Sequence, residues 1–219
     1  MQYITDSDKL FDGKISELIT SVSIMILFFV ICIASTVFIN TNKAYEVLCI
    51  EFIYLSGIIY LYKKHPIDFA KEYHKPLLAK YTIIGLFIGL LILLLSFLEY
   101  YFLSEQSQAP SVSVNENNHI FVLNLVNIIS ACIIIPISEE ILFRYYFFNI
   151  IRIKYGLYVG GAISILLFVG IHYFNPELLP IAIQGLLYTY VYYKSDSIFS
   201  SIILHIINNS IWHFITYSG

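Results

Sequence analysis

From Ile120 to Ser138 the chain carries no charged side chain, and the run then ends in Glu139-Glu140-Ile141-Leu142-Phe143-Arg144. A carboxylate near the hydrocarbon core of a bilayer costs about 2.5–3.5 kcal/mol on insertion scales. Two adjacent carboxylates, with a guanidinium four residues after the second, are tolerated at such a place only where they face a bundle interior or a wet cavity. Charged residues are 12% of the chain and apolar residues 58%, whereas soluble domains carry about 25% charged residues. The sequence therefore reads as an integral membrane protein of the all-α class, a polytopic bundle of transmembrane helices with a polar cavity inside it.

A helix needs about 20 apolar residues to cross a bilayer. About seven segments qualify: Leu18–Ile39, Val47–Tyr62, Tyr81–Leu103, Ile120–Ser138, Leu157–Phe174, Leu178–Tyr193 and Ile198–Tyr217. Lys63, Lys64, Lys71, Lys75 and Lys80 follow the second segment, Arg144, Arg152 and Lys154 follow the fourth, and Lys194 follows the sixth. Ser104–Asn118 and Asn175–Glu177 hold no lysine or arginine. By the positive-inside rule the first group of loops is cytoplasmic, with the N-terminus inside and the C-terminus outside. Asp6, Asp8, Asp12 and Glu17 stand where a cleavable signal would be positive, so none is expected. The polar stretch 104–118 divides a three-span part, 1–103, from a four-span part, 119–219, that contains every candidate site residue.

Several chemistries are excluded early. Cys32, Cys49 and Cys132 all fall within apolar runs, without Cys-x-x-Cys or Cys/His spacing, and read as small buried hydrophobes. The net charge of −3 gives no nucleic-acid signature. No paired repeat of the kind that builds transporters is visible. Gly85-x-x-x-Gly89 and Gly156-x-x-x-Gly160 with Gly161 suit close helix packing. His119 and His213 read as interfacial, and His65 and His74 as solvated loop residues. Glu46 and Glu99 read as snorkelling, while Glu51 needs a polar partner. Asn124, Asn127, Asn149 and Gln184 read as interhelical hydrogen-bonding groups. The 19 tyrosines and 17 phenylalanines suit interfacial belts and packing, not a cofactor.

What remains are polar residues inside spans. Residues four apart share a helix face, so Glu140 can pair with Arg144, Phe168 can lie over His172, and His205 and Asn209 point the same way. Glu139 lies about 100° around from Glu140 and is left to face another neighbour. By depth His172 lies far from the others. The mismatch is removed if Pro136 breaks the fourth span and Glu139 begins a second helix within the membrane, with Ile141–Ile153 still embedded.

Glu-Glu-x-x-x-Arg at 139–144, Phe-x-x-x-His at 168–172 and His-x-x-x-Asn at 205–209, in this order on successive membrane segments, resemble the CPBP family, which includes type II CAAX prenyl endopeptidases and bacterial Abi proteins. The resemblance covers about residues 120–215. It implies an intramembrane endopeptidase whose catalytic residues are Glu139, His172, His205 and Asn209, with Glu140, Arg144 and Phe168 supporting the site. Two mechanisms fit. In one, Glu139 with His172 activates a water while His205 and Asn209 donate to the developing oxyanion. In the other, Glu139, His172 and His205 hold Zn²⁺ and leave a water position open; the metal-free version is preferred, there being no His-Glu-x-x-His. Tyr145 stands where relatives often have glycine, Asn208 beside Asn209 leaves the choice of asparagine to motif spacing, and relatives tend to have an eighth span.

The expected activity is hydrolysis of a peptide bond near the cytoplasmic face, in a bacterial cell membrane, on a membrane-embedded or lipidated substrate. Alternatives are a non-catalytic scaffold or bacteriocin-immunity protein of the same fold and, less well supported, a small transporter with a proton relay. Oligomeric state is not legible.

Overall fold

The computed structural model describes residues 16, 19, 20, 23, 55–104, 128–172 and 178–217. Most of the first expected span, the linker 104–118 beyond Ser104, and Cys32, Glu46, Cys49, Glu51, His119, Asn124 and Asn127 lie outside the described residues, as does the side chain of Glu99. Among the described residues the protein is all-helical, with no strand. The helices are α1 (55–64), α2 (Phe69–Tyr73), α3 (Leu78–Ser104), α4 (128–155), α5 (Leu157–Ile171), α6 (Leu178–Ser195) and α7 (Ile198–Tyr217). Two of them contain windows long and apolar enough to cross a membrane, Leu78–Leu95 in α3 and Ile198–Ile215 in α7. Leu157–Ile171 is apolar but shorter.

The bundle is built around α4. Every residue from 138 to 150 is buried, which a helix without an outward face requires. α5 and α7 pack on α4, α6 packs between α5 and α7, and α3 lies against α6 and α7. On α3 the buried positions are Thr82, Gly85, Gly89 and Leu93, one stripe at helical spacing. A Cβ at Gly85 would stand 2.8 Å from Val191 Cγ2, and one at Gly89 would stand 3.2 Å from Leu204 Cδ1. The Gly85–Gly89 pair is thus the seam against α6 and α7, as the spacing implied. The opposite face of α3 exposes Ile83, Phe87, Leu94 and Leu95. Apolar side chains outside and charges inside is the arrangement a bilayer solvent demands.

α4 corrects one expectation. Pro136 does not break the segment, because helical backbone runs continuously from 128 to 155. Wide turns with i→i+5 bonding occupy Ser130–Ile134 and Ile141–Phe148, on either side of an ordinary α-helical stretch, Ile135–Glu140. Pro136 sits in the first turn of that stretch. Gly156, at φ +91°, ends α4 and donates its N–H to the Arg152 carbonyl. That backbone region favours glycine.

The loop before α3 also departs from expectation. His74 is exposed as expected, but His65 is buried and its carbonyl accepts the Tyr146 hydroxyl at 2.9 Å. α2 is tied to the start of α7: Glu72 Oε2 accepts the Ile198 N–H at 2.9 Å, the Ser197 hydroxyl donates to the Glu72 carbonyl at 2.6 Å, and Lys75 pairs with Asp196 at 2.6 Å. Burial pushes the Glu72 carboxyl from its ordinary 4.5 up to about 7, against the opposing pull of the Ile198 N–H and Lys75, with Asp196 raising it further. A raised carboxyl holds its proton more tightly in the folded protein than in the unfolded one. Its stabilising contribution is complete below about pH 4.5 and is lost as pH rises through about 7. Thermal midpoints are therefore expected to fall between about pH 5 and pH 8, and Glu72→Gln should flatten that slope. An unchanged slope in the variant would show that Glu72 is not its source.

Candidate active site

The i,i+4 spacing of Glu140 and Arg144 places both on one face of α4, and they form an ion pair at 3.0 Å with neither side chain exposed. Pairing is what makes a charge tolerable at such depth. Arg144 Nη2 donates to the Gly185 carbonyl at 3.2 Å, and its guanidinium carbon stands 4.3 Å from the Phe168 ring centre and 5.4 Å from that of Tyr188. A desolvated cation over an aromatic face gains about 2 kcal/mol. A Cβ at position 185 would come within 3.0 Å of Phe168 Cδ1, so glycine is what lets α6 approach this cluster.

Glu140 has a second partner that the spacing did not reveal. Its Oε1 lies 2.9 Å from His205 Nδ1, bringing α7 onto α4. A carboxylate only accepts, so Nδ1 carries the proton in this bond. The other ring nitrogen, Nε2, faces Glu139 Oε2 at 3.7 Å, too long for a direct hydrogen bond. Both glutamates thus address one imidazole from two sides, and Glu139, Glu140 and His205 are all at most 3% exposed.

Aromatic rings fix that imidazole. Tyr188 stacks on His205 at 4.6 Å with a 26° tilt, and Phe168 meets it edge-on at 5.8 Å. The Tyr188 hydroxyl accepts from Asn208 Nδ2 at 2.8 Å. Asn209, the asparagine selected by motif spacing, instead donates from Nδ2 to the Ala131 carbonyl at 3.1 Å. The two neighbouring asparagines have distinct partners, Asn208 on α6 and Asn209 on α4. Asn149 bonds the Tyr145 carbonyl within α4 and the Tyr192 hydroxyl on α6, the interhelical role expected of it.

His172, just beyond α5, lies over Phe168 at 4.9 Å, and its Nδ1 bonds the Phe168 carbonyl at 2.8 Å. The carbonyl accepts, so Nδ1 is the protonated nitrogen and the Nε2 lone pair is left for acid–base work. Phe168 touches His172, Arg144 and His205, and is the physical link between α5 and the charged cluster. The structure therefore gathers Glu139, Glu140, Arg144, Phe168 and His205 directly. It brings in His172 through Phe168, and Asn209 one turn along α7.

Among the described residues no three His, Cys, Asp or Glu side chains are placed to hold a metal ion. Glu139 and His205 face each other, but His172 is engaged with its own helix. As arranged, the Glu139, His172 and His205 set does not form a zinc triad, and no step is assigned to a metal.

Nothing in the sequence singled out Tyr188 or the carbonyls of Ala131 and Gly185. Tyr188 is one of 19 tyrosines, and backbone carbonyls carry no sequence signal.

Residues 121–211 match the family described as Rce1-like, type II CAAX prenyl endopeptidase Rce1-like. The matched segment contains all three motifs. No curated protein and no solved structure matches the chain.

Proposed function

We propose, from the premise that residues 121–211 belong to the Rce1-like family, that the protein is an intramembrane endopeptidase. It hydrolyses a peptide bond of a membrane-embedded or lipidated substrate near the cytoplasmic face, through a water activated by a glutamate. The observation that carries this reading is the pair of buried carboxylates converging on His205, with Glu140 at 2.9 Å from one ring nitrogen and Glu139 at 3.7 Å from the other. A separation of 3.7 Å lets a single oxygen contact both Glu139 and His205 Nε2. Glu139 is the general base that takes the proton of the attacking water, with the His172 Nε2 lone pair in support. Because Nδ1–H is given to Glu140, Nε2 can donate to an oxyanion only when the ring is cationic, and Glu140 supplies the counter-charge for that state. Asn209 provides the second donor. Glu140, Arg144 and Phe168 position these groups.

The test uses purified full-length protein in liposomes, offered a C-terminally prenylated peptide and, separately, an unmodified membrane-spanning peptide. Cleavage of either, lost in His205→Ala, supports the reading, and which peptide is cut defines the substrate class. Cleavage should persist after exhaustive chelation. Activity lost on chelation and restored by Zn²⁺ would replace the metal-free mechanism. Normal insertion of His205→Ala with undiminished biological activity would favour a scaffold instead.

A further inference from the structure

Pro136 is the residue that sequence reasoning assigned to a helix break. α4 runs through it, so the missing proline N–H redirects the backbone hydrogen bonds instead. The Ile135 N–H is given to the Ser130 carbonyl, five residues back. In that wide register the next donor in line, aimed at the Ala131 carbonyl, would be the N–H of residue 136. Proline has none. The Ala131 carbonyl is thereby left out of the helical ladder, and the group that satisfies it is Asn209 Nδ2 from α7, at 3.1 Å. A second contact runs the other way between the same segments, from the Cys132 thiol to the Asn209 carbonyl at 3.9 Å.

The geometry is a two-rung ladder between antiparallel helix faces. Pro136 and Glu140 are one turn apart on α4, and His205 and Asn209 are one turn apart on α7. Glu140 holds His205 at one rung, and the carbonyl released by Pro136 holds Asn209 at the other. Without the second rung, the Asn209 carboxamide would be free to rotate about two side-chain torsions. With it, one N–H is committed and the amide plane is set, so the remaining N–H is presented in a fixed direction.

We infer that Pro136 is a positioning residue of the site: by withholding an N–H it leaves the Ala131 carbonyl to Asn209 and so fixes the carboxamide that donates to the reacting carbonyl oxygen. The link between Pro136 and Asn209 stands on backbone accounting, whereas its catalytic consequence rests on the endopeptidase reading above. Proline here acts through its neighbours and does not touch the substrate.

Pro136→Ala restores the N–H and allows the helix to reclaim the Ala131 carbonyl. A double-mutant cycle of Pro136→Ala and Asn209→Ala in the full-length protein, followed by thermal melting and by peptide cleavage in liposomes, separates the two parts of the inference. Pro136→Ala is expected to melt at or above the wild-type temperature while kcat falls about tenfold, with KM little changed. Asn209→Ala should lower the melting temperature only when Pro136 is present, and the double variant should cleave no more slowly than Asn209→Ala alone. Coupling in melting without any change in cleavage would support the Pro136–Asn209 link while sinking the role of Asn209 as an oxyanion donor. Strictly additive effects on melting would overturn the link itself. Pro136→Ser, which restores the same N–H, provides the second variant should alanine not accumulate in the membrane.

Discussion

Glu140→Ala is expected to destabilise the protein by about 3–5 kcal/mol, the usual cost of removing one partner from a buried ion pair, and to abolish proteolysis. Arg144 explains the size of the effect. Its side chain is fully buried, wedged over Phe168 and against Tyr188, and its only counter-charge among the described contacts is Glu140. Deleting the carboxylate removes the anion paired with a fully buried guanidinium. His205 simultaneously loses the acceptor of its Nδ1 proton. These losses can be told apart. Replacing both charges, as in Glu140→Gln with Arg144→Met, removes the uncompensated cation and should recover most of the stability, since apolar replacement of whole buried pairs is often neutral. Activity should not return, because the amide carries no charge to support a cationic His205. Unfolding in detergent and cleavage in liposomes measure the two effects. A Glu140→Ala protein that melts like wild type would show that Arg144 has another partner.

The helix ends were largely legible. The helices over the fifth and seventh expected segments begin at Leu157 and Ile198, as read. Gly156, read from the sequence as a packing glycine, instead ends α4 at positive φ with nothing within 4 Å of a Cβ there, and Asp196 turns the chain between α6 and α7. The i,i+4 pairs were legible too, because helical periodicity alone puts Glu140 over Arg144 and Phe168 over His172. The wide turns in α4 were not. Their register is decided by which carbonyl each N–H reaches, and no side-chain pattern encodes that choice. Hence Pro136 was read as a break when it redirects one hydrogen bond. The second partner of Glu140 was invisible for a related reason: spacing reports neighbours along one helix, while His205 arrives from a helix 65 residues away. His65 was misread because lysines around it implied water, whereas Tyr146 from α4 covers it. Hydropathy separated His172 from the other site residues, whereas the Phe168 ring links it to the cluster.

Glu139→Gln is expected to lower the cleavage rate by about 10²–10⁴-fold, the usual contribution of a positioned general base, while leaving the melting temperature nearly unchanged. The contrast with Glu140 follows from their surroundings. Glu140 compensates a buried cation, so its charge is built into the fold. Glu139 approaches His205 Nε2 at 3.7 Å, too long to be a structural hydrogen bond. Glutamine keeps the volume and the accepting oxygen of Glu139 and removes only its ability to take a proton. A burial cost disappears with the charge, which is why stability should not fall. KM should stay close to wild type, because the change acts on proton transfer rather than on substrate contacts. Near-normal turnover in Glu139→Gln would assign the base to another group, with His172 Nε2 the first to examine. Loss of turnover accompanied by a fall in melting temperature comparable to that of Glu140→Ala would instead mean that both glutamates hold the bundle together and that the asymmetry between them is wrong.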